Sequence, residues 1–189
     1  LVRRQRLASR IALYTSLVLA GPAAWGLVRA LDQPMRRYAS DRWHETDFLS
    51  LPEVKLLQEY VRVDTSEKTG SEVEGARFLA RQLEAAGIPA TLEILDGKHA
   101  NVYARLEGAD PHPLVLHNHI DVSAVNPEEW FYPPFEGRIE IPWIYGRGVF
   151  DMKSVAIAQL LAMIDLKKSG QPLKRSVLFI ATSSEERGS

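Results

Sequence analysis

The sequence predicts a layered α/β domain. Short apolar runs suited to strands alternate with segments of helical period along most of the chain. At 189 residues the chain is long enough to bury one sizeable core, and 46% hydrophobic with 25% charged residues is a globular balance. No internal repeat or low-complexity tract points to another architecture.

The first ten residues are basic, with Arg3, Arg4, Arg6 and Arg10 and no acid among them. Ile11 to Val28 then runs without a charge. As a helix it would be about 27 Å long, just short of a typical hydrocarbon core. Gly21-Pro22 interrupts it, and Arg29, Arg36 and Arg37 follow. A signal anchor with its arginine-rich end in the cytoplasm and a cleaved secretory signal both fit residues 1–30. A soluble amphipathic helix fits less well, because Ile11–Ala20 offers no polar face beyond Thr15 and Ser16. The expected location is therefore membrane-anchored or exported. Residues 31–52, with mixed charges, Pro34 and Pro52, read as a linker, and 53–189 as the folded domain.

Glu53–Val63 has helical spacing through Val54, Leu56, Leu57, Tyr60, Val61 and Val63. Ser71 with Glu74 predicts a capping box opening a helix whose inner face is Val73, Ala76, Phe78, Leu79, Leu83 and Ala86, stopped by Gly87. Ala90–Leu95 and Asn101–Leu106 are strands split by the turn Asp96-Gly97. Pro113–His119 is a third strand with a buried centre at Leu114-Val115-Leu116. Ser154–Lys168 is a helix with Val155, Ala158, Leu161, Ala162 and Leu166 inward, ending at Gly170. Ser176–Thr182 is a strand buried on both faces, and the chain stops soon after it, at Ser189, which reads as a truncation.

Composition narrows the chemistry. Net charge is −1, so no global field recruits nucleic acid. Without cysteine there is no thiolate ligand or nucleophile, and a metal would be held by His and carboxylates, a set that suits zinc or a related divalent ion. His119 and Asp121 stand two apart at a strand end and so leave the same face. A ligating imidazole needs its second nitrogen hydrogen-bonded, which makes His119 a ligand and Asp121 its orienting partner. His117 on that face is a rival ligand, ranked second because no acid lies two residues after it. Gly146-Arg147-Gly148 leads to Asp151, read either as a helix N-cap or as a carboxylate bridging two metal ions. Lys153 reads as solvated or locally paired. Glu185-Glu186 follows the last strand, where α/β domains place their sites. One of the two could ligate a metal while the other takes a proton from water. Trp130–Phe135 is an aromatic–proline loop expected to cover the sheet edge, with substrate lining as its second reading.

Together these islands resemble the zinc hydrolases that include carboxypeptidase G, carboxypeptidase S, aminoacylases, acetylornithine deacetylase and succinyl-diaminopimelate desuccinylase. The likeness covers about residues 51–189. It rests on His119-Ile120-Asp121-Val122, Trp130 with Pro133-Pro134-Phe135, Tyr145-Gly146-Arg147-Gly148, Asp151-Met152-Lys153 and Glu185-Glu186. The resemblance implies a layered zinc-peptidase catalytic domain with a central mixed sheet flanked by helices. It implies two Zn2+ ions, with Co2+ or Mn2+ as alternatives. His119 would bind one ion, Asp151 both and Glu186 the other. Glu185 would be the general base and Asp121 would orient His119. The implied substrate is a small peptide or N-acyl amino acid. Ser123-Ala124, Ser184 and Ser154 depart from the usual pattern without removing a ligand. The family's remaining carboxylate and distal His, and the domain through which homodimers form, would lie beyond Ser189, so residues 1–189 alone are expected to be inactive. Two rival expectations stand beside the enzyme: a non-catalytic relative serving as a binding or oligomerisation module, and a membrane-anchored structural protein with a Glu-rich surface.

Overall fold

The computed structural model describes residues 49–140 and 143–187. The apolar helix expected over residues 11–28 lies outside that range. Among the described residues no helix is long and apolar enough to cross a membrane.

Among the described residues, two complete helices precede the strands. Helix α1, Pro52–Arg62, starts on a proline at its first turn and buries Val54, Tyr60 and Val61. Helix α2, Glu72–Ala85, is capped by Ser71, whose Oγ accepts the Glu74 N–H at 3.4 Å. The expected capping box closes from one side only. The Glu74 carboxylate turns to Arg77 at 2.6 Å, and the Ser71 N–H is taken by the Asp64 carbonyl. Strands β1 (Ala90–Ile94), β2 (Ala100–Leu106) and β3 (Asp110–His119) follow. A small hairpin of β4 (Arg138–Glu140) and β5 (Trp143–Tyr145) precedes helix α3, Ser154–Ser169, and strand β6, Arg175–Thr182.

The main sheet is mixed, in the order β1-β2-β6-β3. β6 runs antiparallel to β2 and parallel to β3, placing His119 opposite Thr182. Parallel neighbours need a crossover, and α3 supplies it, so β3 and β6 finish at the same rim. The core gathers Leu79, Leu83, Ile88, Val102, Leu160, Met163 and Phe179 between the sheet and the helices. Tyr60 stacks on Phe78 with ring centroids 5.0 Å apart.

Three packing expectations are corrected. Leu114 and Val115 are about half exposed, because among the described residues β3 pairs with β6 alone and forms an edge of this sheet. Helix α3 buries Ala156, Ile157, Leu160, Met163 and Ile164, a different face from the one expected. Residues 155–164 are apolar almost throughout, so spacing alone does not select a face. Strand β6 is fully buried at Ser176, Val177, Phe179 and Ala181 but only partly at Leu178 and Ile180, so one of its two faces is less covered.

Candidate metal centre

The site is built where β3 and β6 end. Ile120 N–H donates to the Thr182 carbonyl at 2.8 Å, tying the two exits together just before each chain turns away. His119 is held at the end of β3 with its side chain 6% exposed. Its Nδ1 lies 2.9 Å from the Asp121 backbone oxygen and 3.5 Å from the Asp121 carboxylate. The shorter contact, to the carbonyl, fixes the ring's direction, while the carboxylate supplies charge beside it. Nε2 is thereby left to face the rim.

Three carboxylates reach that rim. Asp151 Oδ1 stands 3.1 Å from His119 Nε2, and Glu185 Oε2 stands 3.8 Å from it. His119, Glu185 and Glu186 offer ligand atoms that all lie within 4.8 Å of one another. The Asp151 and Glu185 side chains are well exposed, at 69% and 59%, whereas the imidazole they approach is buried. Nitrogen and carboxylate oxygens meeting at an open rim form a donor set that fits a borderline divalent ion, the fit expected from composition.

Local backbone explains how Asp151 arrives. Gly148 has φ +78, and a Cβ there would sit 2.4 Å from Val122 Cγ1, so only glycine permits both the turn and the close approach. Asp151 itself is non-helical, at φ −121 and ψ 101, and lies three residues before α3 begins. It is therefore not an N-cap. Lys153 is neither solvated nor locally paired, the two readings the sequence offered, but fully buried with partners far along the chain. Its Nζ donates to the carbonyls of Tyr60 (3.1 Å) and Val63 (2.6 Å) and sits 4.8 Å from the Tyr60 ring centroid. Burial pulls its amine down to about 7. The residue thus closes the C-terminal end of α1 onto the segment that carries Asp151.

Asp121 is buried, and its two oxygens accept the backbone N–H groups of Glu185 (3.0 Å) and Glu186 (2.8 Å). Burial alone would raise its pKa. The His119 imidazole and the two amides outweigh that and hold it below the ordinary range. The effect is reciprocal: contact with the Asp121 carboxylate raises His119 to about 9 against its own burial, and Asp151 adds to the rise.

Ser123 was met in the sequence only as a departure from a motif. Its Oγ donates to Glu186 Oε2 at 2.6 Å. No local pattern announces this contact, which joins residues 63 apart in sequence. His117 stands apart from the group, with Nε2 3.1 Å from Thr182 Oγ1. The aromatic loop makes ring contacts with the hairpin and with the segment that follows it. Tyr132 meets Tyr145 edge-on at 5.3 Å, Arg138 lies over Tyr132 and Arg147 over Trp130.

Residues 115–189 match the profile described as peptidase family M20/M25/M40. The chain is similar to a probable succinyl-diaminopimelate desuccinylase of Staphylococcus aureus, at 29% identity over 75% of this chain and 35% of the relative. It is also similar to aminoacylase-1A of Rattus norvegicus, at 31% identity over 72% of this chain and 34% of that one. It thus spans about a third of the length of these curated relatives. Among solved structures it is similar to the M20 family metallo-carboxypeptidase Sso-CP2 from Sulfolobus solfataricus, with a TM-score of 0.65, 32% identity, and coverage of 73% of this chain and 32% of that one. Human carnosine dipeptidase 1, at 23% identity and a TM-score of 0.60 over 72% of this chain and 32% of that one, shares the fold.

Proposed function

Given that residues 115–189 of this chain belong to peptidase family M20/M25/M40, we propose that it forms part of a metal-dependent hydrolase. The proposed reaction cleaves amide bonds in small peptides or N-acyl amino acids. The observation that carries this reading is the convergence on His119 at one rim of the sheet: Asp151 stands 3.1 Å and Glu185 3.8 Å from its Nε2, and Glu185 and Glu186 offer ligand atoms within 4.8 Å of one another and of the imidazole. The names borne by the relatives, a desuccinylase, an aminoacylase and a metallo-carboxypeptidase, support the substrate class.

In this reading His119, Asp151 and Glu186 would hold divalent metal, zinc by preference and two ions in all, with Asp151 as the shared ligand. Such ions, when bound, acidify water and polarise a carbonyl. Glu185 is the general base: its exposed carboxylate takes the proton of the attacking water and returns it to the leaving amine. Asp121 keeps His119 oriented and pins the Glu185 and Glu186 amides. Ser123 restrains Glu186 through its hydroxyl. The complete protein is tethered or exported through the segment around residues 11–28, and self-association is proposed for parts outside the described residues.

The test compares the complete protein with its Glu185→Gln variant, reading bound metal by elemental analysis and turnover on a panel of N-acyl amino acids and dipeptides. The variant should keep its metal and lose about 10²–10⁴-fold in kcat, the usual share of a positioned base. Equal turnover, or native protein that holds no divalent ion, would refute the assignment.

A further inference from the structure

Outside the rim, one buried carboxylate is left without a task. Glu72 opens helix α2, where an acidic residue normally faces solvent and the helix dipole. Here its side chain is 1% exposed and turned inward. Its Oε2 accepts the Ser184 N–H at 3.1 Å. Its Oε1 has no hydrogen-bond partner and lies 3.6 Å from His99 Nε2, which also has none. Behind the imidazole, Nδ1 is 2.7 Å from Asp96 Oδ2, while Asp96 Oδ1 accepts the Lys98 and His99 amides. The turn between β1 and β2 is in turn stitched to α2, because the Lys98 carbonyl accepts the Val73 N–H at 3.1 Å.

What Glu72 grips is the loop that carries Glu185 and Glu186. Four consecutive amides of that loop are each taken by a side-chain oxygen from another part of the chain. Asn101 Oδ1 takes Ser183, Glu72 takes Ser184, and Asp121 takes Glu185 and Glu186. Ser184 has φ +66, a left-handed conformation that a residue with a Cβ adopts only when its surroundings impose it. The loop closes on a 3-10 turn over Glu185–Arg187, and three side chains, two of which lie outside the rim, hold the amides that lead into it.

We propose that Glu72, seated by His99 and Asp96, is a positioning residue that holds the Ser184 amide and so sets where the Glu185 and Glu186 carboxylates stand. The inference rests on the roles given above to those two residues. Release of the Ser184 amide frees the Ser183–Ser184 peptide, one link ahead of the Glu185 amide that Asp121 holds, and small displacements of a reacting group are costly, about 10²-fold for 1 Å.

The test uses the complete, zinc-loaded protein with Glu72→Ala and Glu72→Gln. Glutamine keeps an acceptor oxygen for the Ser184 N–H; alanine does not. In the alanine variant, hydrogen exchange over residues 183–187 should quicken about tenfold or more while the β-sheet peptides stay unchanged, as expected for local opening. On an N-acyl amino acid that the native protein turns over, kcat should fall by about 10–100-fold with KM little altered. Glutamine should restore slow exchange and most of the turnover. Exchange in the alanine variant equal to native, a rise spread over the whole sheet, or equal losses in both variants would overturn the proposal. Exchange is read without substrate. Native protein that hydrolyses nothing would therefore defeat the proposed function and leave the exchange pattern to judge Glu72 by itself.

Discussion

Replacing Asp121 with asparagine tests whether a single buried carboxylate sets the electrostatics of the rim. Asparagine has the same shape but one acceptor oxygen where Asp121 has two, and both are in use, on the Glu185 and Glu186 amides. One loop amide would then face a donor, at a cost of about 1.5–3 kcal/mol for a lost hydrogen bond to a charged group. The second effect falls on His119. Its folded pKa of about 9 exceeds the ordinary 6.5, chiefly through Asp121. At 1.36 kcal/mol per unit, that gap stabilises the fold of the metal-free protein by about 3 kcal/mol. Because the folded value is raised, this contribution is complete below pH 6.5 and disappears as pH climbs through about 9. The stability difference between native and Asp121→Asn protein should therefore be widest at pH 6, about 4.5–6 kcal/mol, and shrink to about 1.5–3 kcal/mol at pH 9.5. This window stays above the titration of Asp121 itself, whose folded value is depressed. Urea unfolding of chelator-treated protein at the two pH values measures both differences. A gap that is constant, or wider at high pH, would show that the carboxylate does not support a charged imidazole.

Two further substitutions probe the supports of the rim. Ser123→Ala removes the 2.6 Å hydrogen bond to Glu186 and should weaken Co2+ or Zn2+ binding about tenfold, in the range typical of groups that orient a ligand, with stability within about 1 kcal/mol of native; chelator competition reads the affinity, and unchanged binding would remove Ser123 from the site. Gly148→Ala forces a Cβ into the left-handed region and to 2.4 Å from Val122 Cγ1, so thermal unfolding should show a loss of about 2 kcal/mol or more, with metal binding weakened because Asp151 follows three residues on.

The features legible in the sequence are those set by local repeats. The helical spacing of 73–83 identified the buried face of α2, and alternating strand and helix implied the common rim that β3 and β6 share; Asp121 does lie beside the His119 ring, at 3.5 Å, although β3 ends at His119 and strand alternation is not what places it there. The features that escaped depend on which distant group a side chain meets. Lys153 has the composition of a surface residue and becomes buried because two carbonyls at the end of α1 accept its protons, some 90 residues away in sequence. Leu114 and Val115 look like core and are half exposed because exposure of a strand is decided by its neighbours in the sheet, not by its own residues. The hairpin of β4 and β5 has strands of three residues, too short for alternation to register. The same division runs through the rim itself. His119, Asp151, Glu185 and Glu186 can be picked out by residue type and spacing. The groups that aim them, Ser123, Lys153 and Glu72, act through contacts spanning 63, 90 and 112 residues, distances at which residue type carries no signal until the chain has folded. Substitutions that spare every candidate ligand can therefore still disable this rim, and the three supports, more than the ligands, are where the geometry of this chain is open to experiment.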